Sequence, residues 1–163
     1  MIDQMSRGNN VVVIIDEAQN LSHRQLEQVR MLSNLEAENQ KLIQIVLVGQ
    51  PELRDKLKSN SLRQLRQRIA VRCHIDALGF DDVRQYINHR LTLAGANGSA
   101  PLFHDEAYQE IYKYSGGIPR LINIVCDKAL LMGFVSDRRS IDARIIHHSI
   151  QEIEGGPVHE HHQ

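Results

Sequence analysis

Two short runs of branched aliphatic residues constrain the fold of this chain more than any other feature of its sequence. The first, Val11–Ile15, reads VVVII, and the second, Ile43–Val48, reads IQIVLV. Continuous apolar runs of this length are typical of strands that are covered on both faces, as in parallel sheets. A helical pattern lies between the two runs, and this strand–helix–strand order predicts a parallel α/β sheet.

The helical pattern begins at a recognisable start signal. Ser22 and Gln25 form a capping-box pair, and we expect the helix that follows to reach about Glu38. Its apolar stripe comprises Leu26, Val29, Leu32 and Leu35. The first half of the chain is completed by two more predicted helices, Pro51–Leu57 and Leu62–Arg68, and by a third, weaker strand at Ala70–Ile75.

The second half of the chain shows helical patterns only. We predict helices at Asp81–Leu93 and Asp105–Tyr114, another that begins at Pro119, and a last one capped by Asp142. This pattern indicates a bundle of about four helices. We therefore expect an α/β domain over residues 1–78, a helical domain over 79–154 and a disordered tail over 155–163.

Composition narrows the class of protein. The 163 residues carry a formal net charge of −1, which does not favour nucleic acid or an anionic membrane as a partner. The longest apolar run is too short to span a bilayer, and no signal peptide is visible. Cys73 and Cys126 lie in apolar segments, so we interpret both as buried, reduced thiols of a cytoplasmic protein.

Polar residues follow both predicted strands. Asp16 and Glu17 come directly after the first strand, and Gln50 follows the second. The carboxyl ends of parallel strands share one edge of a sheet, where ligands bind. One carboxylate there can hold Mg²⁺ through water while its neighbour orients an attacking water, as phosphoryl transfer requires. The alternatives are a strand that leaves the core at two acids and, for Gln50, a simple turn.

Arginines form the other candidate site residues. The stretch LRQLRQRI contains Arg63, Arg66 and Arg68, for which a solvated face with surface ion pairs is the alternative. Arg120, in SGGIPRLIN, lies at the start of a predicted helix. Because the helix dipole disfavours a cation at that end, this placement suggests that Arg120 points at an anion.

In this order, the motifs resemble the AAA+ ATPases. The stretches DEAQNLS, QIVLVGQPELRDKL and SGGIPRLINIVCDKALL are similar to the branch of general secretion pathway protein A, which has relatives in pilus biogenesis and exopolysaccharide export. The resemblance covers about residues 11 to 153. It implies a partial P-loop NTPase sheet, formed by the strands and helices after the P-loop, followed by an all-helical lid.

The resemblance also implies roles for single residues. Asp16 and Glu17 match the Walker B pair, in which the first acid binds the Mg²⁺ shell of bound ATP and the second polarises the hydrolytic water. Gln50 matches sensor 1. Arg120 matches sensor 2, which contacts the γ-phosphate.

An arginine finger, which reaches the ATP of a neighbouring subunit, is also implied. Arg68 is our choice for it, with Arg63 and Arg72 as alternatives. A finger supplied in this way requires the ATPase to assemble into an oligomer.

One family motif is missing. The pattern G-x-x-x-x-G-K-[ST] does not occur, and the sequence has no Gly-Lys pair. We therefore expect the chain to correspond to the carboxyl-terminal portion of an ATPase and to be inactive alone. The strand that feeds the P-loop lies next to the second strand in this family. We expect the gap to close, either by an inward shift of the third strand or by a strand from another chain in an edge-mediated dimer.

The function implied is the coupling of ATP binding and hydrolysis to the assembly of a bacterial secretion or export system. The implied partners are further copies of the chain and inner-membrane proteins of that system. The parent protein would be cytoplasmic or anchored to the inner membrane. Two alternatives remain at this stage, a DNA-associated AAA+ regulator and a non-catalytic protein-interaction module.

Overall fold

The computed structural model describes residues 11–33, 36–37, 40–41, 43–96 and 101–155. The chain divides into two compact units, residues 1–73 and residues 74–163. The first is named the α/β unit below and the second the helical unit. Among the described residues, no helix is long and apolar enough to cross a membrane.

The α/β unit contains the predicted parallel pair of strands. Strand β1 (Val11–Ile15) pairs in parallel with the strand at Ile43–Leu47, from Val11 opposite Ile43 to Ile15 opposite Leu47. Between them, β2 (Glu36–Ala37) and β3 (Gln40–Lys41) form a short antiparallel pair, so the Ile43–Leu47 strand is β4. Both predicted strands and their parallel pairing are confirmed.

The helices of this unit begin and end close to the predicted residues, with one exception. They are α1 (His23–Leu32), α2 (Pro51–Leu57) and α3 (Arg63–Arg68), together with 3₁₀ turns at Ala18–Asn20 and Asn60–Leu62. The capping box is confirmed, because the Gln25 amide donates to the Ser22 hydroxyl and the Ser22 amide donates to the Gln25 side chain. The exception is the end of α1. It stops at Leu32, well before Glu38, which together with Leu35 lies outside the described residues.

The described residues do not cover both faces of the sheet, which corrects our expectation. Side chains alternate along β1 and β4, and Val12 and Ile14 are 51% and 68% exposed. Leu47 packs on a small core of Leu26, Leu62 and Leu65. The described helices thus cover one face of the two-stranded sheet, and the continuous apolar run could not distinguish this arrangement from a doubly covered strand.

The predicted third strand is wrong. Residues 69–79 form no helix or strand, and Val71 and Ile75 are 83% and 89% exposed. A strand needs a neighbour for its backbone hydrogen bonds, and no described strand pairs with this segment. The inward shift, one of the two expected ways to close the gap, is therefore absent from the described part of the chain, and the strand from another chain stays a prediction. Cys73 is exposed for the same reason, whereas Cys126 is buried as predicted.

The helical unit is the predicted four-helix bundle. Its helices are α4 (Phe80–Leu93), α5 (Asp105–Ser115), α6 (Pro119–Val135) and α7 (Ala143–Ile153). The Asp142 carboxylate accepts the amides of Arg144 and Ile145, each at 3.0 Å, which confirms it as the cap of α7. The buried core consists of Val83, Ile87, Phe103, Ala107, Tyr108, Ile111, Ile122, Val125, Cys126, Ala129, Ile141 and Ile146.

Candidate functional site

The carboxyl ends of β1 and β4 are joined beyond the last paired residues. The Val48 amide donates to the Ile15 carbonyl at 2.8 Å, and the Ala18 amide donates to the Val48 carbonyl at 2.9 Å. Asp16 and Glu17 therefore lie at the same edge of the sheet as Gln50, and all three are exposed. This is the edge at which parallel sheets bind ligands.

Glu17 has an unusual backbone conformation. Its φ of 51° and ψ of 35° lie in the left-handed region, which non-glycine residues seldom adopt. Such a conformation costs about 1–3 kcal/mol and clusters at functional sites. The Glu17 amide donates to the Asp16 carboxylate at 2.8 Å, and the chain then enters the Ala18–Asn20 turn. The two acids thus occupy a tight turn at the edge and do not continue the strand.

Gln19 connects the acids to the end of β4. Its side-chain amide nitrogen donates to the Glu17 carboxylate, and its side-chain oxygen accepts the Gln50 backbone amide at 3.2 Å. Sequence reasoning did not select this residue. Nothing in its type or position set it apart from the other polar residues of the turn, because its role depends on a contact with a residue 31 positions later.

Gly49 carried the signal that could have revealed Gln19. A Cβ atom at position 49 would lie 2.7 Å from the Gln19 side-chain oxygen and 3.3 Å from the Gln19 backbone nitrogen. Real Cβ atoms do not approach oxygen so closely, so any larger residue would displace the Gln19 side chain. A glycine directly before Gln50 therefore indicates close approach of another segment.

The turn that holds Gln19 is fixed by helix α2. The Lys56 ammonium donates to the backbone carbonyls of Gln19 and Leu21, the latter at 2.9 Å. Lys56 is half-buried, and hydrogen bonds from a charged donor are among the stronger kinds in proteins. Helix α2 begins directly after Gln50. A movement of this helix would therefore displace the Gln19 and Leu21 carbonyls that Lys56 binds.

The side chain of Gln50 is exposed to solvent. Gln50 is the cap residue of α2, and its side chain makes no capping hydrogen bond. The exposed amide group can donate and accept, as contact with a phosphate oxygen or a water requires.

The arginines near α3 fall into two groups. The Arg66 guanidinium donates to the Lys58 carbonyl at 3.0 Å, and Arg72 donates to the Arg66 carbonyl at 3.2 Å. Arg63 and Arg68 are exposed and have no side-chain partner among the described residues. Arg68, the last residue of α3, therefore keeps all its donors available, whereas Arg72 is already engaged.

Arg120 belongs to the helical unit, where a glycine turn sets its position. It is the second residue of α6, is exposed, and has no side-chain partner in the described part of the chain. The Leu78 amide donates to the Gly117 carbonyl at 3.0 Å, and a Cβ at Gly117 would lie 2.0 Å from the Leu78 oxygen. With its φ of +79°, Gly117 permits the close approach that fixes the start of α6.

The donor set at the sheet edge suits part of a magnesium–nucleotide site. Carboxylate oxygens are preferred Mg²⁺ ligands, and this ion is commonly held by one or two carboxylates together with water and phosphate oxygens. Asp16 and Glu17 meet that requirement. The sequence contains no P-loop motif, so these residues do not include the usual amide cradle and lysine for the phosphates.

Comparison with known proteins agrees with this geometry. A family model described as an AAA domain matches residues 1–57. General secretion pathway protein A of Aeromonas hydrophila is 45% identical over 141 residues, which is 86% of this chain. This chain belongs to the AAA+ family and is a relative of general secretion pathway protein A. It spans about a quarter of the length of that relative, since the match covers 25% of it.

Solved structures support the AAA+ fold. The ADP form of the ORC2 protein of Aeropyrum pernix matches 92% of this chain and 41% of its own, with a TM-score of 0.65 at 16% identity. A RuvB variant from Thermotoga maritima matches 93% of this chain and 48% of its own, with a TM-score of 0.66 at 19% identity. The predicted fold class, a partial AAA+ sheet followed by a helical bundle, is thus confirmed.

Proposed function

We propose that this chain carries the acidic part of a site for Mg²⁺-dependent ATP hydrolysis. The observation that carries the proposal is the pair Asp16–Glu17 at the sheet edge, where Glu17 has left-handed backbone and is hydrogen-bonded through Gln19 to the Gln50 amide beyond β4. The neighbour from Aeropyrum pernix is described as an ADP form, which supports nucleotide binding by a protein of this fold. Bound Mg²⁺–ATP would supply the phosphoryl group and neutralise the charge that develops on it.

Each acid has a separate task in this proposal. Asp16 would help to hold the Mg²⁺, and its carboxylate also accepts the Glu17 amide. Glu17 accepts a hydrogen bond from the attacking water and orients it, because a carboxylate can only accept. Gln50, the proposed sensor 1, uses its exposed side-chain amide to contact that water or the γ-phosphate.

Two arginines have proposed roles in the same reaction. Arg68 is the proposed arginine finger toward the ATP of a neighbouring subunit, and its exposure and lack of a described partner support that choice over Arg72. Arg63 remains an alternative on the same grounds. Arg120 is the proposed sensor 2 for the γ-phosphate. In related phosphoryl-transfer enzymes a finger contributes roughly 10³–10⁵ in rate, which makes assembly a condition of activity.

The chain alone is proposed to be inactive, and its parent protein to act in secretion. Without the motif G-x-x-x-x-G-K-[ST], these residues supply no cradle for the phosphates. The named relative supports a role for the parent in a secretion pathway. The proposed form of that role is to drive assembly of a secretion or export system, with inner-membrane proteins as partners. Exposed Val12, Ile14, Val46 and Val48 on one sheet face support self-association.

Metal binding tests the site directly. Mn²⁺ has oxygen-ligand preferences like those of Mg²⁺ and broadens nearby NMR signals. We expect it to broaden the backbone amides of Asp16, Glu17 and Gln50 first, and we expect Asp16→Asn to abolish this selectivity. Asp81→Asn, an exposed acid of the helical unit, is the matched control and leaves the broadening unchanged. Broadening centred on other carboxylates would contradict the proposal.

ATP turnover tests the second part. We expect no Mg²⁺-dependent phosphate release by the chain above the level of buffer, with a P-loop ATPase assayed in parallel. Turnover that disappears in Glu17→Gln would show that the chain is active without the motif, and it would overturn the predicted inactivity while supporting the role of Glu17.

A further inference from the structure

We infer that Gln19 is a positioning residue that couples the Glu17 carboxylate to the backbone at the carboxyl end of β4. The inference deepens the proposed function and rests on it, because Glu17 matters only if it orients the hydrolytic water. The coupling itself is a property of this chain and needs no nucleotide. A shift of the backbone at Gln50 would pass through one side chain to the carboxylate.

The direction of both hydrogen bonds is fixed by chemistry. A backbone amide such as that of Gln50 can only donate, and an ionised carboxylate such as that of Glu17 can only accept. The side chain between them must therefore present an acceptor at one end and a donor at the other. The Gln19 amide does this with its oxygen toward Gln50 and its nitrogen toward Glu17.

The polar residue types closest to glutamine in size or chemistry serve the two contacts less well. Glutamate at position 19 would face the Glu17 carboxylate with a like charge, and lysine or arginine offers no acceptor to Gln50. Asparagine has the right groups but is one methylene shorter. The close packing against Gly49, where a Cβ would lie 2.7 Å from the Gln19 oxygen, shows that the local backbone accommodates this side chain specifically.

The two ends of the connection are held independently. The backbone of Gln19 is fixed by Lys56, and the start of the turn is fixed by the Ala18 amide on the Val48 carbonyl. The side chain of Gln19 is thus the direct hydrogen-bonded link between Glu17 and Gln50. Because coupling between two sites is reciprocal, removal of the Glu17 carboxylate must also loosen the Gln50 amide.

Hydrogen exchange of the Gln50 backbone amide measures this reciprocity. In the full 163-residue chain we expect Gln19→Met, which keeps the length of the side chain but not its hydrogen bonds, to raise the exchange rate about five-fold. Glu17→Gly removes the carboxylate while keeping the left-handed backbone favourable, and we expect it to raise the rate about two-fold. In the Gln19→Met background, Glu17→Gly should have no further effect.

Two further variants keep the test decisive. Gln64→Met, at an exposed glutamine on α3, is the matched control and should leave the Gln50 exchange rate unchanged. If Gln19→Met perturbs the fold, shown by loss of the Ala18 amide protection, Gln19→Asn replaces it and is expected to break the coupling through its shorter reach. Equal effects of Glu17→Gly in both backgrounds, or no effect in either, would overturn the inference.

The result is separable from the proposed function. Coupling between Glu17 and Gln50 without selective Mn²⁺ broadening at Asp16 would support the link and contradict the metal site. Selective broadening without coupling would contradict only the link.

Discussion

The two units of this chain bury their apolar residues in different ways. The helical unit closes its core on itself, with Phe103, Ile111 and Ile122 each 1% exposed or less. The α/β unit has a core of three leucines under one sheet face, while Val12 and Ile14 on the other face remain exposed. The difference lies in the buried cores, because both units also expose large apolar side chains, such as Phe134 at 83% and Val135 at 77% in the helical unit.

The distribution of aromatic residues accounts for part of this contrast. All four tyrosines and all three phenylalanines lie after residue 73, and the chain has no tryptophan. An aromatic side chain buries roughly 150–250 Å², and two of them, Phe103 and Tyr108, belong to the buried core of the helical unit. The α/β unit has no tyrosine, phenylalanine or tryptophan, so aliphatic side chains form the packing between its sheet and its short helices. Tyrosine fluorescence consequently reports on the helical unit alone.

The alkylation rates of the two cysteines should show the largest difference between the units. Burial raises the pKa of the Cys126 thiol to about 12. At pH 8 about one such thiol in 10⁴ is ionised, against about a quarter of ordinary cysteines, so alkylation slows roughly 10³-fold. We expect iodoacetamide to label exposed Cys73 first and Cys126 only after unfolding. Peptide mass spectrometry over time measures both rates, and equal rates in the native protein would contradict the closed core.

A single isoleucine should test how tightly the helical unit is packed. Ile122 is 1% exposed and Ile124, on the same helix, is 39% exposed. We expect Ile122→Ala to lower the free energy of unfolding by about 2–5 kcal/mol, because it removes buried methyl groups and leaves a cavity. Ile124→Ala, the matched control, should cost about 1 kcal/mol or less. Urea unfolding followed by tyrosine fluorescence gives both values, and similar losses would show that the core is not closed.

The helical unit could be predicted from the sequence almost completely, and the α/β unit could not. Helices depend on signals within a few residues, such as Asp142 before α7 and Pro119 at the start of α6, and both predictions are confirmed. Strands depend on neighbours far away in the chain. The segment Ala70–Ile75 has the composition of a strand, but none of the described strands pairs with it, so the local pattern alone gave a wrong prediction.

The candidate site shows the same division. Asp16, Glu17 and Gln50 were selected because they follow recognisable strands, and the roles given to them remain predictions. The sequence does not single out Gln19. Its two hydrogen bonds depend on the left-handed backbone at Glu17 and on the absence of a Cβ atom at Gly49. Long-range contacts of this kind appear only once the backbone is known.

Alanine substitutions at the two glycines before α6 should separate the cost of close packing from the cost of left-handed backbone. Both glycines have positive φ, but a Cβ at Gly117 would meet the Leu78 backbone, whereas a Cβ at Gly116 would meet nothing within 4 Å. We expect Gly116→Ala to cost about 1–2 kcal/mol, the cost of left-handed backbone alone. Gly117→Ala should cost at least about 1 kcal/mol more, because Leu78 must also move. Thermal unfolding by tyrosine fluorescence ranks the two, and equal losses would show that the approach of Leu78 is unimportant.

The exposed sheet face should give the smallest effect on stability. Ile14 is 68% exposed, and threonine keeps the β-branched shape that strands favour. We expect Ile14→Thr to change the free energy of unfolding by no more than about 0.5 kcal/mol, as for other surface positions. The tyrosine signal should not change, and light scattering should show weaker self-association, because the apolar patch is interrupted. A loss of about 2 kcal/mol or more would show instead that Ile14 is covered in solution by another part of the chain or by a second copy. Its dependence on protein concentration separates these two cases, since only a second copy makes stability rise with concentration.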